Sequence, residues 1–405
     1  MSVLATNYLT PTGREEAWRF TPLKRLRGLH DGSALVAERN SLVTKAGLPK
    51  GASFTRESLA PLAVSDDVII ERIRGEVSDV AHLSIDANAE IKEPIFLTRS
   101  AGALDSAELS RVRISLGTHA VATVIVENIG DTLLAEDLEI TLAPGSSLTF
   151  VSLQEFDSKS VYTARHHAVV DKDATFKSIT VTVGGDVVRI LPTVEFTAPG
   201  ASAELLGVYF ATTGQFFEHR MHVDHAVPNA KSRVNFKGAL AGRDAHTVWI
   251  GDVLIRAVAE GTDTYELNRN LLLTDGARAD SVPNLEIETG EIVYYQNTGT
   301  SATPVFTLMN NQLGNVDVAT THDGYAIPHF FKYQDTMYLM VGALDGRIHF
   351  YDRIASGAST NFHERSQDFL GLSAQIGAYA AVAIANLDKD AYLELYVGQD
   401  LGGVF

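Results

Sequence analysis

The sequence predicts a mainly β protein: a right-handed parallel β-helix core, preceded by an N-terminal helical region and followed by about two propeller-like blades. Three observations carry this. Apolar residues recur with a period of two from about residue 91 to 291, as where Val112, Ile114 and Leu116 alternate with Arg111, Arg113 and Ser115. Turn signals Pro144-Gly145, Lys172-Asp173, Pro199-Gly200 and Pro228-Asn229 recur every 27 to 29 residues. A second repeat, offset by 56 residues, aligns Ile292, Tyr295, Phe306, Leu339, Val341 and Gly342 with Ile348, Tyr351, Phe362, Leu395, Val397 and Gly398.

Residues 1–90 alternate polar, helix-compatible stretches with loops, opened by Glu15, Glu16, Trp18, Phe20 and Leu23, with Pro22 marking a turn or helix start. The first 60 residues hold nine Lys or Arg against five Asp or Glu, the pattern of a solvated face. In residues 91–293 further alternating runs fall at Ala122–Glu127, Leu138–Leu142 and Leu148–Leu153, and APGSS at 143–147 returns as APGAS at 198–202. That spacing suits a solenoid whose coils each supply short strands around a continuous apolar core; a β-sandwich is the competing architecture. In residues 294–405, IVYYQN matches IHFYDR and YLMVG matches LYVG, as successive four-stranded blades would. Two such units cannot close a ring.

Composition excludes several functions. The chain has 405 residues, with 33 basic against 50 acidic, so no nucleic-acid partner is expected. It has no cysteine, which excludes disulfides, thiolate nucleophiles and cysteine-held metal from this chain alone. No P-loop pattern occurs. The opening residues lack the apolar run of a signal peptide and no later run could span a bilayer, so a cytoplasmic, non-membrane protein is expected.

Candidate sites are few. His219, His222 and His225 are the one histidine cluster with ligand-like spacing, but strand neighbours three apart face opposite ways. They are either histidines satisfied in a polar stack or interface, or a metal site that needs a bend. His166-His167 is weaker, since adjacent strand residues also diverge. In NLDKDAYLE, Asn386, Asp388, Asp390 and Glu394 place oxygens at relative positions 1, 3, 5 and 9, as a calcium loop does; Ala391 stands where such loops prefer glycine. No Ser-His-Asp arrangement is legible, and no catalytic residue is assigned.

The opening EEAWRFTPL and the tracts HRMHVDHAVPNAKSRVNFKGALAGRDAHTVWIGDVLI and YELNRNLLLTDGARADSVPNLEIETGEIV resemble the SufB/SufD family of iron–sulfur cluster assembly scaffolds, on the SufD side, over residues 1–293. The resemblance implies the β-helix, a heterodimer with a SufB-like subunit, docking of a SufC-like ATPase, and a non-enzymatic role. The iron–sulfur cluster would reside transiently at the complex, with no cofactor bound by this chain alone.

Beyond Val293 the chain departs from that family. Neither the histidine-bearing segment of the cluster site nor the ATPase-docking helical region follows. No cluster ligand is carried over, and impaired assembly with lost SufC docking is expected. Residues 294–405 are instead similar to FG-GAP or VCBS-type repeats, which makes the chain look like a chimera. Asn284, Leu285, Glu286, Ile287 and Glu288, where the solenoid is cut, are the expected SufB-facing edge, an ordinary terminal coil being the alternative. Two other functions compete: an extracellular binding or adhesion module, from the blades, and a β-helix enzyme acting on polysaccharide.

Overall fold

Thirteen strands from Ala107 to Ile287, twelve of them ten residues long, alternate between two sheets. In a computed structural model the chain divides into two compact units, Met1–Glu286 and Ile287–Phe405. The structure describes residues 9–37, 41–59, 65, 67–99, 102–256, 258–287, 292, 294–298, 300, 305–310, 312–319, 325–354, 361–374, 378–386 and 392–399.

The first unit is a parallel β-helix. Sheet one stacks Asp79–Ile85, Ala107–Leu116, Leu133–Leu142, Val161–Val170, Val187–Phe196, Phe216–His225, His246–Ile255 and Arg278–Ile287. Sheet two stacks Ile95–Arg99, Val121–Gly130, Ser147–Phe156, Thr175–Thr182, Ser202–Ala211, Lys231–Leu240 and Asp263–Leu272. Register is kept between coils, so like positions form columns: Ile114, Ile140, Ala168 and Val194 follow one another inside sheet one. The alternating runs read from the sequence lie in these strands, and their inward residues form one apolar core.

The turn repeat has a backbone cause. His119, Gly145, Asp173, Gly200 and Asn229 all adopt positive φ at the same place in successive coils. There the amide of one turn bonds the carbonyl of the next, as from Gly145 to Lys172 (2.8 Å) and from Asp173 to Pro199 (3.3 Å). Glycine, asparagine and aspartate tolerate that conformation, which is why these types recur.

Over residues 1–90, where a helical region is expected, the described residues form one α-helix (α1, Val68–Glu76), two short 3-10 helices and four strands. Ala52–Ser58 and Leu42–Thr44 pair antiparallel with the first parallel strand of each sheet. They add an antiparallel strand to that end of each sheet, and Leu42, Leu48 and Phe54 cover the end of the solenoid core. Trp18, Leu26, Leu29 and the α1 residues Ile69, Ile70 and Ile73 pack on the outer surface of sheet one, against Ala107, Leu133, Val161, Val187 and Phe216. Among the described residues no helix is long and apolar enough to cross a membrane.

The second unit carries the 56-residue repeat in its backbone. Tyr294–Asn297 pairs with Phe306–Asn310, and Ile327–Tyr333 with Thr336–Gly342. One repeat later, Ile348–Asp352 pairs with His363–Ser366, and Ala381–Ala385 with Glu394–Gly398. The second hairpin of the first repeat and the first hairpin of the second join into one four-stranded antiparallel sheet. Ile292, Leu339 and Val341 meet in one apolar cluster; their repeat mates Ile348, Leu395 and Val397 meet in another.

Candidate functional site

Two features of the first unit can carry function: a charged cleft on the outer face of sheet one, and the far end of the β-helix.

The cleft exists because parallel in-register strands place side chains from successive coils side by side, about 4.8 Å apart. One such row runs Arg113, Glu139, His167, Thr193, His222 and Asp252. Its neighbours hold Asp137 beside Arg165, and Arg189 beside Glu218. The N-terminal segment, through Ala17, Ser65, Asp67 and Arg74, forms the opposite wall and encloses about 560 Å³.

Most of the charges in the cleft are matched. Arg74 donates to Asp137 (2.7 Å) and Glu139 (2.8 Å), and Arg165 donates to Asp137 (2.9 Å). Arg189, fully buried, pairs with Asp67 at 2.6 Å and lies 4.0 Å from the Trp18 ring centre. Burial opposes its charge, but Asp67 and Glu218 outweigh that and raise its pKa. Asp67 also caps α1 by accepting from the Ile69 and Ile70 amides, so one carboxylate ties helix, arginine and sheet together. Thr21 completes the clamp by donating to Glu218 at 2.6 Å. Burial, then the Arg165 cation, pushes His167 down to about 4, and its Nδ1 is hydrogen-bonded to Thr193 at 2.8 Å.

The three spaced histidines do not converge. His219 and His225 point into the solenoid and His222 into the cleft, as strand alternation requires. His219 stacks on Tyr209, with ring centres 5.1 Å apart, and its Nε2 bonds Thr182 at 3.1 Å. His225 bonds Ser232 at 2.9 Å. Burial holds His219 at about 3 and His225 at about 4, so both are neutral imidazoles near pH 7. Among the described residues no group of three His, Cys, Asp or Glu could hold a metal ion. Asp388 and Asp390 of the calcium-type loop lie outside the described residues, while Asn386 follows one strand and Glu394 begins its partner.

Unmarked in the sequence reading is a polar chain inside the solenoid. Arg99, buried, bonds Glu136 (2.6 Å), Asn128 (2.8 Å), Ser110 (2.9 Å) and Glu108 (3.2 Å). Tyr162 donates to Glu136 at 2.9 Å. Parity gives the signal: Glu136 shares the inward face with Leu134, Leu138 and Ile140.

At the far end, among the described residues, neither sheet carries an added antiparallel strand. Arg278–Ile287 and Asp263–Leu272 are the last strands of their sheets, so each has a free edge among the described residues. Leu271, Leu272 and Leu285 there are 60%, 51% and 58% exposed. Asn268 and Asn270 bond each other and Tyr209 across the last coils. Glu266 is pushed up to about 7, by burial and then by the charge of Asp252. Of the expected edge residues, Asn284 donates to Asp252 at 2.6 Å and Leu285 is exposed; Glu286 and Ile287 complete the strand, and Glu288 lies outside the described residues.

Residues 96–301 match the family described as SUF system FeS cluster assembly, SufBD core domain. An iron–sulfur cluster assembly SufBD family protein of Mycobacterium tuberculosis is 43% identical over 293 residues, covering 70% of this chain and 74% of that protein. A Mycobacterium leprae member is 41% identical over 298 residues, with 70% and 74% covered. The Escherichia coli iron–sulfur cluster assembly protein SufD is 22% identical over 316 residues, again with 70% and 74% covered. With a β-helix under the matched residues and this identity along most of its relatives' length, the chain belongs to the SufBD family of iron–sulfur cluster assembly proteins.

Proposed function

We propose that this chain is a SufD-like, non-catalytic scaffold subunit that pairs with a SufB-like subunit through the far end of its β-helix. One observation carries the reading: among the described residues the family-matched solenoid ends at its last coil in two strand edges rimmed by exposed leucines. Free edges present unpaired amides and carbonyls in register, a template on which a partner's strand can add, and the leucines supply apolar area for the contact. With no cysteine in the chain, any thiolate ligand of a cluster comes from the partner. The cluster is cargo of the complex rather than a resident cofactor.

Docking of a SufC-like ATPase is lost in this reading, because strands stand where the SufD-like resemblance implies a helical C-terminal region. Those strands are propeller-like, of FG-GAP or VCBS type, supported by their 56-residue repeat and four-stranded sheet. Calcium at Asn386, Asp388, Asp390 and Glu394 rests on the spacing of those residues. A cytoplasmic location follows from the assembly role.

Co-purification of the tagged full chain with SufB-like and SufC-like proteins tests the reading. Retention of the SufB-like subunit without the ATPase is expected. Retention of neither would overturn the partnership, and retention of both would overturn the loss of ATPase docking.

A further inference from the structure

We propose that the cleft between the N-terminal segment and sheet one binds a small organic anion, its phosphate or carboxylate held by Arg220. The inference is independent of the partner reading, since the cleft lies on the face of the solenoid rather than at its end.

A volume of about 560 Å³ falls in the range of metabolite-sized sites. Its donors are unequally committed. Arg74, Arg165 and Arg189 each have a carboxylate within 2.7 Å. Arg220 does not: its Nη2 donates to the Glu16 carbonyl at 2.8 Å, Glu218 stands off at 4.0 Å, and its buried Nε has no hydrogen-bond acceptor among the described residues. A largely buried guanidinium without a close counter-charge is costly, and an oxyanion would complete it. Burial shifts its pKa below the ordinary arginine range, outweighing the support of Glu218, as expected for an under-compensated cation.

His222, two residues on along the same strand face, has no hydrogen bond among the described residues and also lines the cleft. Next to it in register is Asp252, held by Asn284 at 2.6 Å. The cleft is therefore polarised, with unmatched positive charge at Arg220 and an acceptor at Asp252, while Leu191 and Ala17 add apolar surface. That polarity fits an anion carrying a hydroxyl or other hydrogen-bond donor at its far end. Asp252 disfavours a ligand with negative charge at both ends.

The test is calorimetric titration of the full chain with glycerol phosphate and, separately, with lactate, at constant ionic strength set by chloride. Saturable binding of at least one probe is expected, weakened about tenfold or more in Arg220→Gln and lost in Thr193→Glu, which sets a carboxylate beside His222. A response to glycerol phosphate alone assigns a phosphate ligand; a response to lactate alone assigns a carboxylate. If Arg220→Gln fails to fold by circular dichroism, Thr193→Glu and His222→Asn carry the test. Absence of binding for both probes, or binding unchanged in the folded variants, would overturn the proposal.

Discussion

Replacing Arg189 by methionine should release the N-terminal segment from the solenoid. The side chain is fully buried, pairs with Asp67 at 2.6 Å, stands 3.7 Å from Glu218 and stacks on Trp18 at 4.0 Å. Methionine keeps much of the apolar stem but removes the cation that Asp67 and Glu218 share. Removing one partner of a buried pair costs about 3–5 kcal/mol, and losing a desolvated cation–π contact about 1–2 kcal/mol. Because the groups touch, these do not add, and a loss of about 3–5 kcal/mol is expected. The readout is hydrogen exchange of the α1 amides, since Asp67 caps Ile69 and Ile70. Their opening free energy should fall by that amount, while the central strands, such as Val161–Val170, keep their protection. Adding Asp67→Asn to the Arg189 variant should cost less than Asp67→Asn alone, because the amide still caps and no longer strands a charge. A loss below about 1 kcal/mol in the single Arg189 variant would refute the clamp.

Three further outcomes are expected. Glu266, pushed up to about 7 from the ordinary 4.5, binds its proton more tightly folded than unfolded. Its stabilising effect is thus complete below about 4.5 and lost as pH rises through about 7. Glu266→Gln should flatten that window and gain about 1–2 kcal/mol at pH 8, discounted for a half-buried group, in urea titrations across pH; an unchanged pH profile would contradict it. Leu285→Lys, at a 58% exposed position, should weaken retention of a SufB-like subunit about tenfold with the circular dichroism spectrum intact, and undiminished retention would move the interface elsewhere. Calcium titration should release heat that Asp390→Asn abolishes, and a flat isotherm in the parent chain would remove the ion from residues 386–394.

The period of two, the turn spacing and the 56-residue repeat were legible because each is a local rule applied again and again. Period two decides which side chains face inward, so the divergence of His219 and His222 could be read from their separation alone. Positive-φ turns favour glycine, asparagine or aspartate, so the coil length surfaced as Pro-Gly and Lys-Asp pairs. Polar groups inside the solenoid escaped notice because Arg99 and Glu136 are balanced by each other, 37 residues apart, and that partner is not visible from the parity of either segment alone. The strands within residues 1–90 escaped for a related reason. Ala52–Ser58 is mostly polar and half-exposed, and it becomes a strand by pairing with Asp79–Ile85. The cleft needs four successive coils and the N-terminal segment at once, a juxtaposition that only register creates.

Hydrogen exchange of the β-helix, alone and with a saturating SufB-like subunit, addresses the central claim most directly. New protection is expected at the amides of Arg278–Ile287 and Asp263–Leu272, the last strands of the two sheets, with little change at the opposite end near Ala52–Ser58. Protection confined to the outer face of sheet one or to the opposite end, with both edges exchanging as before, would contradict it.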